Sequence, residues 1–244
     1  MSTTILQATV GAGKTEAALA RLSQVISDSQ RPFAKAWVLL ATKRQEVAFR
    51  QRLIDLQDER AVYFNAEFFN FYDLNARILN LAGQPPRRIN ESARLGLLRK
   101  ILYDLQREGE LETFSPIIHT SGFLRVVADL IYELKQNLVY PETYLKAVKT
   151  AKDNELAMIY GRYQHLMQAH NFVDREGEGW LALEAIEKKL DLVRDVDLLL
   201  VDGYDQFTPV QIALLSRLSL QADEVVVTLT KAPDEQDARE KPVV

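Results

Sequence analysis

A segment near the amino terminus has the residue types and the spacing of a loop that binds phosphate groups. It runs Ala8, Thr9, Val10, Gly11, Ala12, Gly13, Lys14 and Thr15. Gly11 and Gly13 supply backbone freedom, which lets successive N–H groups curve around the β- and γ-phosphates of a nucleotide. Lys14 adds a cation between these phosphates, and the Thr15 hydroxyl is the expected ligand of Mg²⁺. The segment therefore predicts a site for ATP and Mg²⁺, formed by Ala8 and residues 11–15.

A second candidate is a carboxylate at the carboxyl end of an apolar run. Residues 198–201 are all apolar, and Asp202 follows them directly. A carboxylate at the end of a buried strand can hold Mg²⁺ through water molecules, as nucleotide hydrolysis requires. Asp202 is therefore predicted as a metal residue together with Thr15.

The residue after this aspartate is unusual for an active ATPase. Such enzymes normally have a glutamate there, which orients and deprotonates the attacking water, whereas this chain has Gly203. Loss of a general base commonly lowers the rate by about 10²- to 10⁴-fold. Asp205 and Glu178 are alternative bases, although no pattern in the sequence singles out either. We therefore predict nucleotide binding with slow or absent hydrolysis, and we assign no catalytic residue.

The elements around these residues follow the order of an α/β protein. Residues 5–8 read as a strand that leads into the loop, and residues 16–27 have the apolar spacing of a helix. A buried strand is predicted at 36–41, followed by a helix that ends near residue 57. Further strands and helices are predicted at 62–69, 71–81, 197–202, 209–218 and 224–229. The pattern predicts a parallel sheet whose carboxyl edge positions the loop and the aspartate.

Between residues 85 and 190 the pattern is helical, without a convincing strand. Helices are predicted at 91–107, 121–137, 141–149, 154–170 and 176–189. We therefore expect a RecA-like P-loop domain with a parallel sheet, interrupted by an all-helical insertion. The expected boundaries are 1–84 and 191–230 for the two parts of the RecA-like domain, 85–190 for the insertion, and 231–244 for a tail or linker.

Composition excludes several classes of function. The chain has 244 residues, of which 47% are hydrophobic, so it is long and apolar enough to bury a substantial core. It has no cysteine, which excludes disulfides, thiolate metal sites and cysteine nucleophiles. The net charge of −4 argues against an autonomous, strongly basic DNA-binding domain. No leader and no membrane-length apolar run is evident, so we expect a cytoplasmic protein without a membrane partner.

The two motifs together resemble those of superfamily 1 helicases of the UvrD type. Their magnesium motif reads Asp-Glu-x-Gln-Asp-x-x-x-x-Gln, and residues 202–211 align with it without a gap. Asp202 and Gln211 are kept, and the glutamate is lost. The form Asp-Gly-aromatic-x-x-Phe-Thr-Pro is more similar to the AddB subunit of AddAB helicase–nucleases, whose motor motifs are degraded. Gln45 and residues 154–163 and 172–174 also resemble that family.

The resemblance implies partners and a cellular role. In that family AddB works with a motor subunit on double-strand DNA ends during recombinational repair, which implies contacts with single-stranded DNA and duplex ends. The resemblance covers about the amino-terminal quarter of such a protein, without the second motor domain and the nuclease domain. Thr42 and Lys43 stand where superfamily 1 proteins touch single-stranded DNA, and we interpret Arg50 and Arg52 as solvated helix cations.

Two other functions remain open from the sequence. The same loop is used by small phosphotransferases, although these usually carry an arginine-bearing lid, and the predicted insertion here is long, helical and poor in glycine. The chain could also be a structural P-loop module that binds no nucleotide and braces a partner subunit.

Overall fold

The structure, a computed structural model, describes residues 1–56, 64–83, 85 and 87–231. Its strands are β1 (Ser2–Ala8), β2 (Ala36–Leu40), β3 (Ala66–Phe69), β4 (Arg87–Arg88), β5 (Phe172–Val173), β6 (Leu198–Asp202) and β7 (Glu224–Thr230). Its α-helices are α1 (Lys14–Ile26), α2 (Lys43–Asp55), α3 (Phe71–Leu81), α4 (Glu91–Glu108), α5 (Ser121–Gln136), α6 (Pro141–Lys146), α7 (Ala151–Ala169), α8 (Arg175–Lys188) and α9 (Pro209–Leu218).

The five longer strands form one parallel sheet in the order β1, β7, β6, β2, β3. Parallel strands need crossover connections, which here are helices on both faces, so the central strands are apolar along their length. Every residue of β2 and β6 is buried. β7 lies between β1 and β6. The end of β1, which leads into the glycine-rich loop, and the end of β6, at Asp202, therefore lie at the same edge of the sheet with one strand between them.

Side chains of alternate strand residues enter two separate cores. On one face α1 and α2 pack against the sheet through the cluster Ala18, Leu19, Leu22, Val38, Phe49, Leu53, Leu200 and Val226. On the other face α3, α8 and α9 pack against it through Trp37, Leu39, Leu74, Ile78, Ile186, Leu199, Val201, Leu214 and Val225. The period of two along each strand therefore divides the sheet between two helical layers.

A third core lies within the helical part of the chain. It joins α4, α5 and α7 through Leu98, Ile101, Leu105, Val127, Ile131, Ile159 and Tyr163. Trp180 of α8 packs into this core, while Ile186 of the same helix packs into the core that α3, α8 and α9 form with the sheet. Helix α8 therefore holds the helical part against the sheet.

The helical part also contains a short ladder that the sequence did not predict. Arg87 pairs with Phe172 and Arg88 pairs with Val173, in parallel, as β4 and β5. Two residues are too short to produce a recognisable hydrophobic alternation, so the prediction of a region without strands was wrong at this point. The guanidinium of Arg87 lies 4.8 Å from the ring centre of Phe172, so this strand pair also has a cation–π contact.

A buried ion pair lies between α5 and the start of α8. Nζ of Lys135 donates to Oδ2 of Asp174 at 2.7 Å, and the two side chains are 2% and 3% exposed. Asp174 also accepts from the hydroxyl of Tyr163 at 2.7 Å and from the backbone N–H of Gly177 at 2.8 Å. Asp174 therefore caps α8 and at the same time satisfies a buried lysine.

The predicted α/β class with a parallel sheet is confirmed. The predicted helices are present with their ends shifted by up to three residues, and the predicted end of α2 near residue 57 lies outside the described residues. The strand predicted at 62–69 is found at Ala66–Phe69, and residues 62 and 63 lie outside the described residues. The predicted tail at 231–244 also lies outside them, except for Lys231. Across the described residues, no helix combines the length and apolar character needed to cross a membrane.

Candidate nucleotide site

The glycine-rich loop connects the end of β1 to the start of α1. Gly11 and Gly13 both have φ of 80°, in the left-handed region that residues with a Cβ rarely adopt. Gly13 is also the N-cap residue of α1, and no side chain caps this helix. The backbone N–H groups of the first turn therefore have no side-chain cap, and the helix dipole favours negative charge at the same place.

Lys14 is folded back onto the loop that precedes it. Its Nζ donates to the carbonyl oxygen of Ala8 at 2.9 Å and to that of Thr9 at 2.7 Å. The ammonium group thus lies against the start of the loop, held by neutral carbonyls. Phosphate oxygens are stronger partners for an ammonium than carbonyls are, so this lysine can exchange one set for the other.

Thr15 and Asp202 meet across the sheet edge. The Thr15 hydroxyl donates to Oδ2 of Asp202 at 3.0 Å, although 187 positions separate the two residues in the chain. Asp202 is only 6% exposed, and Thr228 of β7 donates to its Oδ1 at 2.5 Å. The structure therefore brings together two residues that the sequence assigned to one metal, and it adds a third, Thr228, that sequence reasoning missed.

Gly203 has a structural role that the sequence did not reveal. Its φ is 81°, and a Cβ at this position would lie 2.7 Å from Nε2 of Gln45. Gln45 Nε2 donates to the carbonyl oxygen of Gly203 at 3.3 Å, and the Thr42 hydroxyl donates to Oε1 of Gln45 at 3.0 Å. The side chain of Gln45 therefore fills the space beside the position where active ATPases have a glutamate. In the sequence, the Asp-Gly pair at residues 202 and 203 indicates a turn at this position.

We expect Gly203→Ala to lower the free energy of unfolding by about 1–3 kcal/mol, because the backbone of Gly203 is in the left-handed region, which opposes a Cβ, whereas the amide end of Gln45 can turn aside. Urea unfolding measures this change. Gly96→Ala is the matched control, since Gly96 lies in α4 with nothing within 4 Å of the position that an added methyl group would occupy, and alanine favours a helix by about 1 kcal/mol. Equal effects of the two substitutions would contradict the strain at Gly203.

An aromatic cluster fixes the loop that follows Asp202. The rings of Tyr204 and Phe207 lie 5.3 Å apart, and the ring of Phe71 lies 5.1 Å from that of Tyr204. The Tyr204 hydroxyl donates to the carbonyl oxygen of Leu40 at 3.0 Å, and burial raises the pKa of Tyr204. The cluster thereby ties the end of β6 to the ends of β2 and β3. The sequence showed this motif without showing its packing role.

The two candidate DNA residues lie at the start of α2, next to the end of β2. The Thr42 hydroxyl accepts from the backbone N–H of Gln45 and so caps the helix. Lys43 has a side chain that is 80% exposed and pairs with Glu46 at 2.8 Å. Because Leu40 of β2 is in register with Asp202, both residues lie at the same sheet edge as the nucleotide motifs.

The structure shows the surroundings of the other charged candidates. Arg50 lies over the ring of Phe68 at 4.1 Å, and Arg52 pairs with Glu16 at 2.6 Å, as expected for helix-face cations. Glu178 is 3% exposed and paired with Arg88, so it is committed to the helical part of the chain. Asp205 is exposed in the loop after β6.

The chain matches one protein family and is similar to several proteins that share one name. The model of the family described as ADDB, N-terminal, matches residues 6–243. The chain is similar to the B subunit of the ATP-dependent helicase/deoxyribonuclease of Clostridium tetani, with 28% identity over 240 residues that cover 94% of this chain and 20% of that protein. For the protein of the same name from a Clostridium botulinum strain the identity is 24% over 238 residues, covering 94% and 20%.

The corresponding protein of a Thermoanaerobacter species is 25% identical over 228 residues, which cover 90% of this chain and 19% of that protein. The chain thus spans about a fifth of the length of the curated relatives that it matches. Because the family model matches nearly every residue, from the glycine-rich loop past the last strand of the sheet, this chain belongs to the AddB N-terminal family.

Proposed function

We propose that this chain is the nucleotide-binding, helicase-like domain of an ATP-dependent helicase–nuclease subunit that acts on DNA ends in double-strand-break repair. The relatives are named as one subunit of a helicase/deoxyribonuclease, which supports the class of enzyme and the existence of a second subunit. The partner is the motor subunit of the complex, and the substrates are single-stranded DNA and duplex ends.

The observation that carries the proposal is the contact between Thr15 and Asp202 at 3.0 Å. A hydroxyl and a carboxylate are hard oxygen ligands, which suit Mg²⁺. Lys14 supplies a cation, and the uncapped start of α1 supplies N–H donors, for the phosphates of ATP. When bound, the metal would neutralise charge on the β- and γ-phosphates, with Thr15 as a ligand and Asp202 oriented toward its waters.

On this proposal the site binds ATP and hydrolyses it slowly or not at all. Active enzymes place a carboxylate after the metal aspartate, and this chain has Gly203 with the amide of Gln45 beside it. An amide can orient a water molecule through hydrogen bonds, but it takes up no proton at neutral pH. In superfamily 1 motors, arginines from a second motor domain complete the site, and such an arginine is worth about 10³- to 10⁵-fold in rate.

The strand order supports a RecA-like form for the sheet domain. β1, which leads into the phosphate loop, and β6, which ends at Asp202, are parallel and have β7 between them. The loop and Asp202 therefore lie at the same edge of the sheet. On this proposal residues 1–84 and 191–230 form the RecA-like domain and residues 85–190 form the insertion. The core that joins α4, α5 and α7 supports that division for these three helices, whereas α8 packs against both this core and the sheet.

Single-stranded DNA would cross the carboxyl edge of the sheet at Thr42 and Lys43. Because the contacts are with the phosphate backbone, we expect Lys43→Ala to weaken binding of single-stranded DNA uniformly across sequences and to reduce the salt slope by about one phosphate contact. Fluorescence anisotropy at several salt concentrations measures this. Lys188→Ala is the control, since Lys188 is an exposed lysine in an ion pair on α8. The same loss in both variants would argue against a DNA contact at Lys43.

The structural-module alternative has one observation in its favour. Lys14 donates to the carbonyl oxygens of Ala8 and Thr9, and Thr15 donates to Asp202, so these polar groups have partners within the protein. A titration with a fluorescent ATP analogue separates the two functions: binding that depends on Lys14 supports the nucleotide site, and no binding at millimolar nucleotide supports the brace. Family membership gives no support to the phosphotransferase alternative.

A further inference from the structure

Thr228 is a buried hydroxyl in a strand that is otherwise apolar where it crosses the core. The three residues before it, Val225, Val226 and Val227, are buried, and Thr228 itself is 3% exposed. A buried hydroxyl without a partner is costly, so its hydrogen bond is informative. The bond goes to Oδ1 of Asp202 at 2.5 Å. Thr228 therefore contacts Asp202, the carboxylate that is proposed to hold Mg²⁺.

The sheet order makes this contact possible. Val227 of β7 is in register with Val201 of β6, so the next residue on each strand, Thr228 and Asp202, are lateral neighbours. On its other side Thr228 is in register with Leu6 of β1. The hydroxyl thus lies between the phosphate-loop strand and the aspartate strand, behind the proposed metal site.

Among the described residues, the side-chain donors to the Asp202 carboxylate are hydroxyl groups. Its Oδ2 accepts from Thr15 and its Oδ1 accepts from Thr228, and it takes part in none of the ion pairs found within the described residues. Thr15 is itself a proposed Mg²⁺ ligand. When its hydroxyl turns to the metal, Thr228 is the contact that still fixes the rotation of the carboxylate.

We propose that Thr228 is a positioning residue, which orients Asp202 for Mg²⁺ in the nucleotide complex. This inference rests on the proposed function of the site. Partners that orient a metal ligand typically contribute about 10- to 100-fold to metal affinity. We expect Thr228 to affect the binding of Mg²⁺ and not the binding of the phosphates. Its hydroxyl donates a hydrogen bond to Asp202, whereas Lys14 and the glycine-rich loop are the proposed phosphate contacts.

The test compares Mg²⁺ requirements in the full-length protein. With a fluorescent ATP analogue as the probe, Thr228→Val is expected to need about 10- to 100-fold more Mg²⁺ for half-maximal binding, while its affinity in EDTA stays that of the parent. Thr228→Ser keeps the hydroxyl and is expected to restore the parent requirement. Thr4→Val, on an exposed position of β1, is the control for a threonine-to-valine change in this sheet.

A double-mutant cycle tests whether Thr228 affects Mg²⁺ binding through Asp202. In the Asp202→Asn background, Thr228→Val is expected to change the Mg²⁺ requirement no further. An unchanged Mg²⁺ requirement in Thr228→Val, or an equal loss of binding with and without Mg²⁺, would overturn the positioning role. If valine prevents folding, Thr228→Ala removes the same hydroxyl and is judged by the same outcomes. Absence of any nucleotide binding in the parent protein would instead refute the proposed function.

Discussion

Replacing Lys14 by alanine is expected to lower the affinity for ATP by about 10- to 150-fold. Lys14 is the cation of the loop, and a hydrogen bond to a charged group contributes about 1.5–3 kcal/mol. The structure shows that the ammonium group is already at the loop, where it donates to the carbonyl oxygens of Ala8 and Thr9. Binding of phosphate exchanges these neutral acceptors for charged ones, and the alanine variant loses that gain.

A fluorescent ATP analogue titrated against the parent protein and the variant measures the change. Lys43→Ala is the matched control, because it removes the same charge from the same edge of the sheet, outside the loop. Its nucleotide affinity is expected to stay within about twofold of the parent, since exposed charges interact weakly through water. Urea unfolding of Lys14→Ala shows whether the loop still folds without its carbonyl contacts. Equal nucleotide affinity in parent and Lys14→Ala would remove the main support for the site.

Replacing Asp174 by asparagine is expected to lower the free energy of unfolding by about 3–5 kcal/mol. The substitution leaves Lys135 as a buried cation without its counter-charge, and loss of one partner of a buried ion pair commonly has this effect. Lys135 and Asp174 are both buried, so water cannot replace the missing carboxylate. Burial lowers the pKa of Lys135, and Asp174 partly offsets this. The variant therefore removes what keeps the lysine charged.

Acid should reproduce part of this loss. Burial opposes ionisation of Asp174, but the charge of Lys135 and hydrogen bonds from Lys135 and Tyr163 outweigh it and hold the pKa of Asp174 below its usual range. A carboxyl whose folded pKa is depressed stabilises the protein above its unfolded pKa, which is about 3.9. This contribution is complete at neutral pH and disappears as the pH falls below about 4 and through the folded pKa.

Urea unfolding at neutral pH tests the prediction. Asp195→Asn is the matched control, since Asp195 pairs with Lys35 at 2.7 Å but is 66% exposed, and exposed pairs contribute about 0–1 kcal/mol. A loss for Asp174→Asn as small as that for Asp195→Asn would contradict a buried, uncompensated lysine. Because α8 packs against both the helical core and the sheet, we also expect the two parts to lose stability together.

The amino-acid sequence by itself determined the features that depend on neighbouring residues. The glycine spacing at 11 and 13, the apolar run that ends at Asp202 and the helical periodicities are local, and the structure shows loop, strands and helices where these patterns predicted them. Hydrophobic pattern and turn chemistry are set within a few residues, so they can be read without the fold.

The tertiary structure decided the lateral neighbours. Strand order placed β7 between β1 and β6, which brought Thr228 to Asp202, and packing of α2 brought Gln45 to Gly203. Lys135 met Asp174 in the same way, through the packing of α5 against α8. Such contacts join residues that are far apart in the chain, and no periodicity encodes which strand or helix lies beside which. The order results from how the apolar faces pack, and that order selects the polar groups that meet at the site.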